Sequence, residues 1–343
     1  MHSTLQPAFD QLVAGHDLSA DAVRNCIGAI MDGACDPVEI AAWLTAMTCK
    51  GPAAIEIVGA AQAMRERAAR IATRRRPLLD TCGTGGDRLH TFNISTATAL
   101  VAAACGVNVA KHGNRSVSSN SGSADVLEAL GVNIQLTPEQ AGRCLDEIGI
   151  TFCFAPLVHG AMKHAAPIRK TLGVPTIFNL LGPLTNPAGA DYQLLGASSN
   201  ERARLLASAL SVLGCRKALV VCGNNELDEV CLWGPTLAFE IAVGRIQEII
   251  WHPSDFGLKE CTAAELRIKS SAESAAVIRR VLEGEDSAAS RIVIANAAAA
   301  LLAAEKSTSL EDAVRMVRLT LTDGIAAARL NDLIEWTQAV RTQ

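Results

Sequence analysis

Two segments rich in glycine, serine and cationic side chains are the parts of this sequence best suited to chemistry. The first, Leu78–Asp87 (LLDTCGTGGD), places three glycines directly after a short apolar strand candidate, and Asn93–Thr96 (NIST) opens a helix soon after. Glycines let the backbone approach an anion without a Cβ in the way, and the N–H groups and hydroxyls of a helix start donate hydrogen bonds to it. We therefore predict an anion-binding turn at Gly83–Asp87. The alternative is a tight strand-to-helix turn without a ligand.

The second segment, Lys111–Ser123 (KHGNRSVSSNSGS), follows the strand candidate Val107–Ala110 and leads into a helix. Its cations, amides and serines are enough hydrogen-bond donors to wrap an extended polyanion, such as a diphosphate with its sugar phosphate. The alternative is a polar surface loop in which Ser121 or Ser123 caps the next helix. In open α/β sheets, ligands collect at the carboxyl ends of strands. Because both segments follow strands, we expect them to form one site.

The pattern of strands and helices predicts the sheet that these loops require. Up to Arg74–Pro77 the sequence favours consecutive helices, and Pro77 marks a change of pattern. Beyond it, strand candidates alternate with helices, and a hairpin around Gly244 makes the sheet mixed. We predict an α/β fold class, with a small all-helical domain and a large α/β domain built on a central mixed sheet. The strand candidates are Leu78–Asp80, Val107–Ala110, Ile150–Phe154 and Ala218–Cys222, and the hairpin joins Leu237–Val243 to Arg245–Trp251.

Composition excludes several classes of function. The 343 residues are 49% hydrophobic but only 3% aromatic, which suits helices packed on a sheet. A net charge of -4 gives no field that attracts nucleic acid or a membrane, and the arginine-rich run Arg65–Arg76 is expected to be a solvated helix end and linker. No apolar stretch is long enough to cross a bilayer. Eleven scattered cysteines, without a C-x-x-C pair or a secretory signal, predict reduced thiols in a cytoplasmic protein.

Four ordered motifs between Asp80 and Ala188 overlap the two segments and carry a family resemblance that covers nearly the whole chain. They are D-x-x-G-T-G-G-D from Asp80, N-I-S-T from Asn93, K-H-G-N-R-S-x-S-S-x-S-G-S-A-D-V-L-E-A-L-G from Lys111 and F-N-L-L-G-P-L-T-N-P-A from Phe178. Together they resemble the anthranilate phosphoribosyltransferase family. The resemblance implies transfer of a phosphoribosyl group from phosphoribosyl diphosphate (PRPP) to anthranilate, which gives N-(5-phosphoribosyl)anthranilate and diphosphate in tryptophan biosynthesis.

The resemblance also implies an architecture and a donor site. The fold would be like that of nucleoside phosphorylases, and the protein a homodimer without nucleic-acid or membrane partners. Residues 1–75, joined by 165–190, would form the small helical domain, and residues 76–164 and 191–343 the large α/β domain that carries the PRPP site. The implied PRPP-binding residues are Gly83, Gly86, Asp87, Thr91, Asn93, Ile94, Ser95, Thr96, Lys111, His112, Gly113, Asn114, Arg115, Ser116, Val117, Ser118, Ser119 and Ser123.

An acceptor site and a metal site follow from the same resemblance. Anthranilate would lie against Gly83, Asn114 and Arg169, and a guanidinium can hold its carboxylate through two hydrogen bonds. Ser95, Asp228 and Glu229 would bind magnesium, two ions per monomer, because Mg²⁺ prefers a few carboxylates together with phosphate oxygens. No residue is assigned as an acid or base. The anthranilate amine is already a nucleophile, and the reaction needs mainly positioning and leaving-group stabilisation.

Three positions depart from the pattern expected of the family. Pro175 stands where arginine is usual, Gly160 where proline is common after histidine, and Asn120 where lysine is usual. Pro175 and Gly160 lie near the expected acceptor channel, so they leave open a related transferase with another aromatic or amine acceptor. A pyrimidine nucleoside phosphorylase, which shares the fold, and a binding protein without turnover are two more candidate functions. The acidic pair Asp228–Glu229 favours a diphosphate donor over both.

Overall fold

The computed structural model describes residues 1–116, 120–242 and 244–341. The N-terminal part of the chain is helical, as predicted. Pro37 occupies the first position of the third helix, where its missing N–H needs no acceptor, and Glu39 accepts a hydrogen bond from the N–H of Asp36 at 3.1 Å. The helices are α1 (Leu5–Val13), α2 (Ala20–Met31), α3 (Pro37–Lys50) and α4 (Ala54–Arg67).

The described residues of the larger part form a seven-stranded mixed sheet, in the order β3-β2-β1-β4-β5-β6-β7. The first five strands in this order run parallel to one another. Strand β6 is antiparallel to both of its neighbours, β5 and β7. The predicted hairpin around Gly244 is confirmed in these two strands. The strands are β1 (Leu78–Gly83), β2 (Asn108–Gly113), β3 (Ile150–Phe154), β4 (Tyr192–Gly196), β5 (Lys217–Gly223), β6 (Thr236–Ala242) and β7 (Arg245–Trp251).

Helices cover both faces of this sheet. They are α5 (Ile94–Ala104), α6 (Ser123–Leu130), α7 (Pro138–Ile148), α8 (Ala155–Val158), α9 (Ala166–Leu172), α10 (Phe178–Leu181), α11 (Asn200–Leu213), α12 (Ser271–Leu282), α13 (Ala288–Ala303), α14 (Leu310–Thr322) and α15 (Ile325–Arg341). Short 3₁₀ helices lie at Gly160–His164, Gly182–Leu184, Pro253–Phe256 and Ala263–Leu266. None of the helices in the described parts of the chain is long and apolar enough to cross a membrane.

Alternate residues of β5 enter two different hydrophobic cores, as the two-residue period of a strand requires. Leu219 and Val221 pack on the face covered by α5 and α13. Ala218, Val220 and Cys222 pack on the other face, in a core that is continuous with α1–α4 and α11. Helices α9 and α10 contact α3 and α4 in this second core. The helical part of the chain is therefore anchored to one face of the sheet through α11.

The arginine run is only partly as expected. Arg65 is not solvated: its Nε donates to the carbonyl of Leu184 at 2.7 Å, and burial lowers the pKa of its guanidinium. This correction follows from the packing of α4 beneath the 3₁₀ helix at Gly182–Leu184, a long-range contact. Other members of the run are paired: the partly buried Arg67 with Asp32, and the exposed Arg74 and Arg76 with Asp146 and Asp191.

Candidate active site

The glycine turn at the end of β1 is shaped around the acidic residue Asp228. A Cβ at Gly83 would overlap the Asp228 carboxylate, so only glycine fits there. Gly85 has a φ of 67°, a left-handed conformation that glycine adopts without strain. Its N–H donates to Asp228 Oδ2 at 2.7 Å. The turn and the acidic pair, 143 residues apart in sequence, therefore form one structure.

The Asp87 carboxylate lies close enough to Asp228 and Glu229 to disfavour their ionisation at this turn. Burial, followed by the charge of Asp87, raises the pKa of Asp228 to about 7. Burial and the neighbouring charge of Asp228 raise the pKa of Glu229 well above its ordinary value, although the Ser95 backbone N–H donates to Glu229. Buried like charges of this kind disfavour ionisation, and a bound cation reverses that effect.

These oxygen ligands fit a magnesium ion that shares its coordination shell with substrate. The structure brings Glu229 into contact with Ser95, and Asp228 into contact with Asp87. Within the described ranges, no group of three or more histidine, cysteine, aspartate or glutamate side chains is arranged to hold a metal on its own. Mg²⁺ commonly takes one or two protein carboxylates and completes its octahedral shell with water and phosphate oxygens. The donor set is therefore suited to a metal that arrives with a diphosphate.

Lys111 and His112, at the end of β2, are buried beside the turn. The ammonium of Lys111 donates to the Thr81 carbonyl and, at 3.2 Å, to Ser95 Oγ. The N–H of His112 donates to Asp80 Oδ1 at 3.0 Å, and its Nδ1 lies 2.9 Å from the Gly182 carbonyl. Lys111 therefore fixes β2 against β1 and the start of α5.

The second cation of the loop is held by acidic side chains of α6. Arg115 donates to Asp125 at 3.0 Å and to both carboxylate oxygens of Glu128. Asp125 also accepts hydrogen bonds from the N–H groups of Ser116 and Gly122. Gly122 is the residue that precedes α6, so the expectation that Ser121 or Ser123 caps this helix is wrong. The predicted site residues Val117, Ser118 and Ser119 lie outside the described residues.

Asn93, at the start of α5, links the two segments predicted to bind the donor PRPP. These donor segments are the glycine turn with the start of α5, and Lys111–Ser123. Its Oδ1 accepts hydrogen bonds from the hydroxyls of Ser121 and Ser274, both at 2.7 Å, and its Nδ2 donates to the Ser121 carbonyl at 3.0 Å. An asparagine amide has two acceptor and two donor positions. Within the described residues, three of the four are thus occupied by protein, and one N–H is left for a ligand.

Arg169, the predicted acceptor residue, lies in α9 with its guanidinium over the Phe178 ring, 5.3 Å from the centroid. It donates to Asn179 Oδ1 at 3.3 Å, and burial lowers its pKa. No carboxylate pairs with Arg169 among the residues that the structure describes. An incompletely paired, partly buried guanidinium suits a carboxylate ligand. Asn114 hydrogen-bonds within its own loop, to Arg115 and Ser123, and not to Arg169.

Two buried polar residues near these loops were missed by sequence reasoning. The rings of His159 and His112 are 5.1 Å apart, and burial lowers their pKa values to about 3 and about 4. Both imidazoles are therefore neutral at pH 7. Asn186 donates to Asp80 Oδ2 at 2.8 Å and to the Ala110 carbonyl at 2.7 Å, which joins β1 to β2. Asn186 lies in the fourth motif, which was the signal that could have found it; His159 had none.

The remaining predicted residues are distributed along the same loops. Thr91 forms an isolated β-bridge with Arg267, and Thr96 is buried in α5. A Cβ at Gly113 would overlap Ser123 Oγ, so the loop closes on the start of α6. Gly86 has a φ of 80° within the glycine turn, and Ile94 is the first residue of α5. Within the described parts of the chain, the residues predicted to bind PRPP therefore lie around the carboxyl ends of β1 and β2.

Comparison with known proteins places this geometry in context. Residues 75–327 match the model of the glycosyl transferase family, a/b domain, and residues 6–68 that of the glycosyl transferase family, helical bundle domain. An anthranilate phosphoribosyltransferase from Chromobacterium violaceum is 49% identical over 332 residues, 96% of this chain and 97% of that protein.

Solved structures give the same result. The crystal structure of anthranilate phosphoribosyltransferase from Thermus thermophilus has a TM-score of 0.91 and 42% identity, and covers 96% of this chain and 99% of that one. The structure of the Saccharomyces cerevisiae anthranilate phosphoribosyltransferase in complex with PRPP and Mg has a TM-score of 0.91 and 26% identity, and covers 99% of both chains. Fold and sequence similarity thus extend over nearly the whole chain.

Proposed function

The chain belongs to the anthranilate phosphoribosyltransferase family, and from this premise we propose how its residues transfer the phosphoribosyl group of PRPP to anthranilate. The reaction joins the anthranilate nitrogen to C1 of the ribose and releases diphosphate, a step of tryptophan biosynthesis. The observation that best supports a diphosphate donor is the hydrogen bond from the Gly85 N–H to Asp228, which joins the glycine turn to the acidic pair.

PRPP would lie across the carboxyl ends of β1 and β2. The backbone N–H groups of Gly86 and Asp87 in the glycine turn, with the Ser95 and Thr96 hydroxyls, would bind its phosphate oxygens. Because the Lys111 and Arg115 side chains are already hydrogen-bonded within the protein, they would act mainly by holding the loops in place and contributing positive potential. The full set of donor residues expected from the sequence is retained in this proposal.

Asp228, Glu229 and Ser95 are the residues that would hold magnesium, and we propose two ions per monomer. Bound magnesium would supply positive charge that stabilises the departing diphosphate. The chain's own contribution is to hold Asp228 over Gly83 and Glu229 beside Ser95, where burial and neighbouring carboxylates disfavour ionisation and a cation would favour it.

Anthranilate would be oriented by its carboxylate on Arg169, with Asn114 and Gly83 at the side facing the donor. The neutral imidazoles of His112 and His159 would place polar but uncharged groups near the bound anthranilate. We assign no acid or base, because the amine attacks an oxocarbenium-like carbon and needs mainly correct placement. A Cβ at Gly160 would meet no atom within 4 Å, so the glycine at this position is not required by close packing.

Three further features belong to the proposal. The division into 1–75 with 165–190 and 76–164 with 191–343 follows the contacts of α9 and α10 with α3 and α4. A homodimer would cover exposed apolar side chains of the helical part, such as Val13 and Val38. A cytoplasmic location agrees with eleven free cysteines.

The test is a fluorescence assay of anthranilate consumption with PRPP and magnesium, with the product identified by mass. We expect turnover that requires all three components. Aniline, which lacks the carboxylate, serves as the matched acceptor and should react poorly. Turnover of a pyrimidine nucleoside with inorganic phosphate, without use of PRPP, would instead identify a phosphorylase. No consumption of anthranilate at millimolar substrate would refute the proposal.

A further inference from the structure

A residue far from the donor motifs contacts the centre of the donor site. Ser274 lies in α12 and is fully buried. Its hydroxyl donates to Asn93 Oδ1 at 2.7 Å and accepts a hydrogen bond from the Asn93 N–H at 3.0 Å. The two residues are 181 positions apart in sequence. This reciprocal pair fixes both the backbone and the side chain of the residue that precedes α5.

The segment just before α12 also holds both donor segments. The N–H of Phe92 donates to the Leu266 carbonyl at 2.9 Å, and the N–H of Ile268 donates to the His90 carbonyl at 3.0 Å. On its other side, Asn120 donates to the Ile268 carbonyl at 2.9 Å. The chain between Leu266 and Ser274 therefore braces the glycine-turn segment and the serine loop at once.

We propose that Ser274 is a positioning residue for the phosphoribosyl donor, acting through Asn93. The inference rests on the proposed function and names a residue outside the four donor motifs. Without the Ser274 hydroxyl, the Asn93 N–H loses its acceptor, and Oδ1 keeps the hydroxyl of Ser121. Asn93 then keeps its hydrogen bonds to Ser121 but is no longer tied to α12, so its backbone and the start of α5 can shift relative to the chain between Leu266 and Ser274. Ser95 and Thr96, in the first turn of this helix, are displaced with it.

A purely structural role would give a different result. Replacing a buried serine that only stabilises the fold lowers the free energy of unfolding and leaves the kinetic constants of the folded enzyme unchanged. Ser290 is the matched control: it is buried, lies in the first turn of the neighbouring helix α13, and donates to the carbonyl of Glu285. Its hydrogen bonds are to neither donor segment.

The experiment compares Ser274→Ala with Ser290→Ala in the magnesium-containing enzyme. We expect Ser274→Ala to raise the KM and the calorimetric Kd for PRPP about tenfold, with the KM for anthranilate changed by less than about twofold. Ser290→Ala should leave all three constants near wild type, even if its stability falls equally. Equal PRPP constants in the two variants would overturn the inference. A wild-type protein that neither binds PRPP nor turns over would refute the proposed function and this inference with it.

A second variant keeps the inference testable if Ser274→Ala does not fold. Asn120 is exposed, so Asn120→Ala removes the tether to Ile268 with little effect on packing. We expect its Kd for PRPP to rise about threefold, since one hydrogen bond of the brace is lost while Ser274 remains. An unchanged Kd would count against the brace and overturn the inference.

Discussion

Arg115 forms a bidentate ion pair with Glu128, with N–O distances of 2.5 and 2.9 Å, so its charge is paired with α6 rather than left to open solvent. The same guanidinium reaches Asp125 at 3.0 Å and lies over the Phe154 ring. A cation in this arrangement organises the donor loop before any substrate arrives. Its two carboxylate partners do different work, which can be separated by mutation.

We predict that Asp125→Ala lowers the free energy of unfolding and raises the KM for PRPP more than Glu128→Ala does. Glu128 contributes an exposed ion pair, worth about 0.2–1 kcal/mol. Asp125 also accepts two backbone hydrogen bonds, from Ser116 and Gly122, and its loss should cost about 1–3 kcal/mol. Urea unfolding gives the stability of each variant, and kinetics gives the KM for PRPP. A larger stability loss and a higher KM in Glu128→Ala would contradict this ranking.

The buried imidazoles predict a loss of stability at acid pH. The folded pKa values of His112 and His159, about 4 and about 3, lie below the ordinary 6.5. Their contribution to stability is therefore present above pH 6.5 and is lost as the pH falls towards 4 and 3, because only the unfolded chain takes up the protons. Each imidazole should lower the free energy of unfolding by about 1 kcal/mol as the pH falls from 6 to 5.

The variant His159→Gln isolates this effect from the opposite one of Asp80. Burial raises the pKa of Asp80 to about 6, so its ionisation removes stability as the pH rises. Asp80 is common to both proteins, and the difference between their unfolding free energies at pH 6.5 and pH 5 reports on His159. We expect the wild type to lose more stability than His159→Gln over this interval. Parallel pH profiles would contradict a neutral buried His159.

Replacing the acidic pair should remove the magnesium requirement together with the activity. We expect Asp228→Ala and Glu229→Ala each to lower kcat/KM at least about a hundredfold, which is about 2.7 kcal/mol of barrier. Asp228→Asn is the matched control, because its amide oxygen can still accept the Gly85 hydrogen bond. If Asp228→Asn is as inactive as Asp228→Ala, the charge is essential rather than the turn. Normal magnesium-dependent turnover in the alanine variants would refute the metal assignment.

Arg169 should control the acceptor and not the donor. We expect Arg169→Gln to raise the KM for anthranilate about tenfold to a hundredfold, because a hydrogen bond between charged groups contributes about 1.5–3 kcal/mol. The KM for PRPP should stay near wild type. Arg143→Gln is the control, since Arg143 also lies over an aromatic ring, that of Trp336, but near the C-terminal helix. A change in the PRPP constant alone would place Arg169 elsewhere in the mechanism.

Much of the architecture follows from local sequence patterns. The hairpin strands match their predicted ranges to within a residue, and Ile150–Phe154 is identical to β3. The missed strand was β4, at the centre of the sheet. Its sequence, Tyr192–Gly196, has only two consecutive aliphatic residues and contains Gln193, whose amide is satisfied by the Pro183 carbonyl at 2.6 Å. That partner is a tertiary contact, and without it a buried glutamine argues against a central strand.

Local sequence patterns predicted the two segments that the structure brings together, but not the contacts within them. Glycines and hydroxyls after strands indicate anion binding because that chemistry depends on local backbone. The pairing of Arg115 with Glu128, or of Asn93 with Ser274, depends on where helices pack. Distances along the chain carry no information about such contacts. The sequence therefore identified which side chains gather, and the packing decides which of them are already occupied.

The position of Asp228 has a consequence for protein engineering. The Asp228 backbone carbonyl occupies the space where a side chain on Gly196 would lie, and its carboxylate occupies the same kind of space above Gly83. The acidic turn therefore packs against two paired glycines, Gly83 and Gly196, in the neighbouring parallel strands β1 and β4. Grafting Asp228 and Glu229 onto another parallel sheet would fail unless the recipient also had glycine at the two corresponding strand positions. The unit that must be transferred is Gly83 and Gly196 together with Asp228 and Glu229.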